Sequence, residues 1–81
     1  MDIIEDGTLK GTFKGFKNRK TIFIFTNGSK WQQNEYKYHY YYAYMPHAKV
    51  IKKPGYFVLE VDGMNDSVIV SRVRKQTFEK P

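Results

Sequence analysis

The sequence predicts an all-β domain, a small antiparallel barrel of five to six strands, SH3-like, with an OB-like barrel as the alternative. Three observations predict it. Apolar residues recur with period two in most segments, tight-turn pairs such as Asn27-Gly28 and Pro54-Gly55 separate those segments, and no stretch carries helical apolar spacing. Short aromatic strands in a flat open sheet would expose adhesive edges, and closure into a barrel removes them. The near-continuous hairpin order favours the SH3-like form.

The composition supports this reading. The 81 residues fit one domain, with a packed part over about 7–73 and frayed ends. A chain this short buries only about 60% of its unfolded surface, so large aromatic side chains are the efficient filling. Phe, Trp and Tyr make up 17% of the chain, while leucine occurs only at Leu9 and Leu59. Such a bias favours strands. With no cysteine, neither a disulfide nor a thiolate metal site supplements the core.

The elements follow in order. Gly7 to Phe16 reads as a first strand, with Leu9, Gly11, Phe13 and Gly15 alternating against Thr8, Lys10, Thr12 and Lys14. Its glycines suit the bends of a curling sheet. Lys17-Asn18-Arg19-Lys20 is a basic turn. Thr21 to Thr26 is the second strand, and Asn27-Gly28 predicts a two-residue type I′ hairpin. That register places Ile24 opposite Trp31 in the core and turns Phe23 and Phe25 to the other face. Gln32 to Glu35 reads as a loop or bulge. From 36 to 44 every even position is tyrosine, and only a strand sets those rings in one row. The opposite face reads Lys37, His39, Tyr41, Ala43, Met45. In a barrel short of leucine the even tyrosines are expected in the core, which leaves Tyr41 as the exposed ring. Pro46 closes this strand and His47 to Lys53 forms the next. Tyr56 to Asp62 then pairs with Ser67 to Val73 across Gly63-Met64-Asn65-Asp66, with Val61 opposite Val68, Leu59 opposite Val70 and Phe57 opposite Arg72.

Three spaced features, Gly11-Thr12-Phe13-Lys14-Gly15-Phe16, Phe23-x-Phe25-x-Asn27-Gly28-x-x-Trp31-x-Gln33, and Leu59-x-Val61-x-Gly63 followed by Ser67-Val68-x-Val70-x-Arg72, span most of residues 11–73. With them the chain resembles a family of small bacterial β-barrel proteins that have no established function. The resemblance implies the barrel and brings no activity or ligand with it. The tyrosine run from 36 to 44 departs from the family pattern.

The residues argue against catalysis. Nucleophilic chemistry needs an activated nucleophile beside a base, and here the only histidines are His39 and His47, on segments read as neighbouring strands. Two histidines are too few for a metal site, and 62–66 is not a calcium loop. Glu60 and Asp62, about 7 Å apart on one strand face, read as carboxylates facing basic residues, not as a glycosidase pair. No enzyme, cofactor or metal is expected.

Charge points to partners instead. The net charge is +6, and Asp2, Glu5 and Asp6 hold three of the eight acidic residues, so the rest of the chain sets 14 basic residues against five acidic. Small barrels serve as binding modules, which makes protein or peptide interaction, including with a second copy, the first expectation. Phe23 and Phe25, or the row of Tyr41, Ala43 and Met45, would form that face. The alternative is single-stranded nucleic-acid binding through a basic aromatic face of the tyrosine strand, Tyr41 above all, with Lys37, His39, Lys49 and the basic cluster from Lys14 through Lys17 to Lys20. The acidic start lacks the basic, apolar pattern of a signal peptide, and no apolar run reaches the ~18–20 residues of a membrane span. A cytoplasmic protein is expected, or a secreted one if the natural gene adds a leader.

Overall fold

A computed structural model describes residues 2–73; the tail expected to fray, 74–81, lies outside the described residues. Eight strands form, with no helix among the described residues: β1 (Asp2–Thr8), β2 (Thr12–Phe16), β3 (Ile22–Ile24), β4 (Lys30–Gln33), β5 (His39–Tyr44), β6 (His47–Lys53), β7 (Tyr56–Val61) and β8 (Ser67–Arg72). They make a six-stranded antiparallel sheet in the order β1-β6-β7-β8-β4-β3 and a two-stranded sheet, β2-β5. Beyond β1, Leu9 bridges Phe25, which brings the chain after one edge strand of the large sheet to the end of the other.

The first expected strand is in fact two. β1 reaches back into the acidic start, where Asp2 and Asp6 stand opposite Lys52 and Lys49 of β6 in the register and Asp6 contacts His47. At Gly11, with φ 74°, the chain leaves that sheet, and β2 pairs with β5 instead.

The hairpin after β3 also differs from expectation by one residue. Phe23 pairs with Trp31 and Ile24 with Lys30, in place of Ile24 with Trp31. Type I′ geometry needs positive φ at both central residues, and Asn27 does not have it; only Gly28 does, at φ 97°. The Gly28 amide donates to the Phe25 carbonyl and the Phe25 amide to the Ser29 carbonyl, closing a three-residue loop. A one-residue slip turns every side chain to the opposite face. Phe23 and Phe25 therefore point into the core, at 4% and 1% exposure. The β7–β8 register differs by two residues, with Leu59 opposite Val68 and Phe57 opposite Val70, so the expected faces survive.

One core results. Phe13 and Phe16 from the small sheet meet Phe23, with ring centroids 6.0–6.1 Å apart, above Trp31, Val50, Leu59, Val68 and Val70 of the large sheet. Burying each of these rings or branched chains contributes roughly 1.5–3 kcal/mol. Ile51 and Val58 form a second, smaller apolar pair on the other side of the large sheet, opposite each other and both buried.

Candidate functional site

The tyrosine segment is extended where it forms β5, and its even residues face outward. Tyr36, Tyr38, Tyr40, Tyr42 and Tyr44 are 57–85% exposed, whereas Tyr41 packs on the core with its ring 6.5 Å from Phe13. This reverses the expected assignment of core and surface. The cause is volume. With Phe23 and Phe25 turned inward, their rings fill the space between the sheets that the even tyrosines would otherwise occupy.

Local geometry keeps the row open. Tyr44 stands opposite Thr12 and Tyr40 opposite Gly15, so the cross-strand neighbours on this face are small. Gly15 is required at its position. Its φ is 95°, and a Cβ there would overlap the His39 carbonyl and the Tyr41 amide. β2 and β5 can approach this closely only through a glycine.

Gln33 holds the approach to β5. It is the one buried polar side chain among the described residues, and its three hydrogen bonds all go to backbone. Its Oε1 accepts from the Lys17 amide at 3.2 Å, while Nε2 donates to the carbonyls of Glu35 at 3.0 Å and Lys37 at 2.8 Å. A second set of contacts clamps the segment to the β7–β8 loop. Lys37 Nζ donates to Asp66 Oδ1 at 2.9 Å, and His39 Nδ1 lies 3.2 Å from Asp66 Oδ2. The Lys37 amine holds the Asp66 carboxyl below its ordinary range, helped by His39 and the Ser67 amide and opposed by partial burial. Glu35 Oε1 also accepts from the Ile69 amide at 2.7 Å.

Positive charge lies along the row. Lys14, Lys17, Arg19 and Lys20 are exposed on β2 and the turn after it, and the Arg19 guanidinium sits 5.3 Å from the centroid of the Tyr36 ring. Of the residues expected in a basic aromatic face, Lys14 and Lys17 are there. Lys37 and His39 are beside it but engaged with Asp66. Lys49 is elsewhere, on the large sheet between Asp6 and Glu60. Tyr41 is beneath the face, and the buried Phe23 and Phe25 are removed from any surface. Arg19 belongs to the basic cluster expected there, and the even tyrosines, expected in the core, are the rings that the face gains. The period-two row of tyrosines was itself visible in the sequence, but which side of the strand is covered depends on the β2–β5 pairing.

The two histidines do not converge. β5 pairs with β2 and β6 with β1, so each meets its own aspartate, His39 with Asp66 and His47 with Asp6. Glu60 faces Lys49 across β6–β7, and both line a shallow polar depression at the β7–β8 loop. Among the described residues no three His, Asp or Glu side chains gather as metal ligands, and no helix is long and apolar enough to cross a membrane.

These features define the class: an antiparallel all-β domain with an outward tyrosine row bordered by lysine and arginine. Comparisons with protein families, curated proteins and solved structures return no match for the chain.

Proposed function

We propose that the protein is a non-enzymatic binding domain that takes single-stranded nucleic acid on the tyrosine row. The observation that carries this reading is the outward exposure of Tyr36, Tyr38, Tyr40, Tyr42 and Tyr44 beside Lys14, Lys17 and Arg19. Aromatic faces stack bases without regard to sequence, and lysines and arginines follow the phosphates.

Spacing selects the single strand. Successive outward residues on a strand are about 6.7 Å apart, twice the rise per residue. Bases stacked in a duplex repeat every 3.4 Å or so. Each exposed tyrosine in β5 therefore suits one base of an unstacked chain, with the irregularity between Tyr40 and Ala43 breaking the even spacing. We further read the fold as a nearly closed SH3-like barrel, with OB-like closure as the alternative; the Leu9–Phe25 bridge supports closure.

The test is a salt titration of binding to a fluorescein-labelled fifteen-residue oligothymidylate. Engagement of three to four phosphates gives a log–log slope of about −2 to −3, because single strands contribute roughly −0.7 per phosphate. A flat salt response, or equal affinity for a duplex of the same length, would rule the reading out.

A further inference from the structure

The large sheet stops at β3 and the small sheet at β2, and these two free edges face each other. Antiparallel residues alternate between bonding the partner strand and pointing the other way. In β3 the bonds Phe25 N to Ser29 O and Gln33 N to Thr21 O assign the odd residues to β4. The even residues point outward, as Ile24 O and Thr26 N show by bonding Lys10 N at 2.7 Å and Thr8 O at 2.8 Å. The segment after β1 therefore begins to pair with β3 and then departs at Gly11, before it reaches Ile22. On the opposite bank, Met45 N bonds Gly11 O and Phe13 pairs with Ala43, so Thr12 and Lys14 direct their backbone groups away from β5.

Between the banks runs a groove of about 200 Å³, lined by Thr12, Phe13 and Lys14 on one side and Thr21, Ile22 and Phe23 on the other. Phe13 and Phe23, with ring centroids 6.1 Å apart, lie at its base. The rim is basic. Lys14 and Lys17 are exposed and make no ion pair among the described residues.

We propose that this groove receives an extended peptide carrying acidic residues, added as a strand between β2 and β3. Backbone groups of Thr12, Lys14 and Ile22 supply the pairing, as in other strand-addition complexes. The aromatic base takes an apolar side chain, and the lysines attract the carboxylates beside it. The inference shares Lys14 and Lys17 with the nucleic-acid reading but rests on backbone edges and not on the tyrosine row, so protection of the Thr12, Lys14 and Ile22 amides tests it separately.

The probe is a capped hexapeptide alternating valine and glutamate, titrated into the isotopically labelled protein and followed by amide NMR and hydrogen exchange. In the free protein the amides of Thr12, Lys14 and Ile22 exchange rapidly; with peptide they shift together and become protected. Lys14→Glu weakens binding roughly fivefold. Ile22→Pro abolishes it, since an outward-facing edge N–H is the one a strand proline can replace. Should that variant fail to fold, the same peptide N-methylated at alternate amides decides the question, because it cannot pair and is expected not to bind. Three results would each overturn the proposal: protection of the three amides in the free protein, no shift at millimolar peptide, or equal binding of the methylated peptide. Protection that appears only as the protein doubles its mass would assign the groove to a second copy and overturn it too.

Discussion

Gln33 shows how one side chain positions the candidate site. Its amide serves three backbone groups from two segments, the end of β2 and the stretch leading into β5. A leucine there keeps much of the volume and leaves those groups unpaired in a closed space. Each unsatisfied group costs about 1–3 kcal/mol, reduced where water reaches it. Gln33→Leu is expected to lose roughly 2–4 kcal/mol, a fall in Tm of about 8 °C or more by calorimetry. A Tm within a degree or two of the parent would mean that Gln33 does not hold the segment. The sequence suggested a loop or bulge at Gln32 to Glu35 but not this role, because a glutamine's partners depend on which distant carbonyls the fold brings to it. The inward side of Tyr41 is hidden in the sequence for a similar reason: alternation distinguishes the two sides of a strand but not which side is covered.

At the scale of elements, the β3–β4 register and the outward tyrosine row have one physical origin. A type I′ hairpin puts Phe23 and Phe25 outside and leaves space that the even tyrosines would fill. The loop closed at Gly28 puts both phenylalanines inside, and the tyrosines have to turn out. Core volume couples the registers of distant strands, so a one-residue slip at 27–28 propagates to 36–44. β5 itself is anchored at its start by the contacts of Lys37 and His39 with Asp66. Asp66 is more acidic in the folded protein than in the unfolded chain, so its ionised form stabilises the fold. That contribution is complete above about pH 4 and fades as the pH falls through and below the ordinary carboxylate range. Acid titration is therefore expected to move the amide resonances of residues 37–40 while the β6–β7 hairpin stays in place. Asp66→Asn should remove that movement; its persistence in the variant would place the titrating group elsewhere. Strand-rich character, the β6–β7 turn at Pro54-Gly55 and the core faces of β7 and β8 were all legible, since they depend on local alternation and turn chemistry.

Across the whole molecule, acidic and basic charge are separated. The acidic start is occupied in pairing with β6, where Asp2 and Asp6 face lysines and Asp6 also meets His47. The excess positive charge near β2 is left free of that cancellation and borders the tyrosine row. β2 thus forms one side of both proposed binding features, the row it shares with β5 and the groove it shares with β3. The all-β class was legible from composition and period. A bend at the glycines of the first strand was legible; the division into two sheets at Gly11 was not, because it depends on long-range partners that alternation cannot specify. The most direct test of the account is aromatic-ring NMR of the protein titrated with a short oligothymidylate. The rings of Tyr40, Tyr42 and Tyr44 are expected to shift upfield together under stacked bases, with Tyr41 nearly unmoved. Shifts confined to Tyr41, or no ring shifts at saturating oligonucleotide, would contradict it.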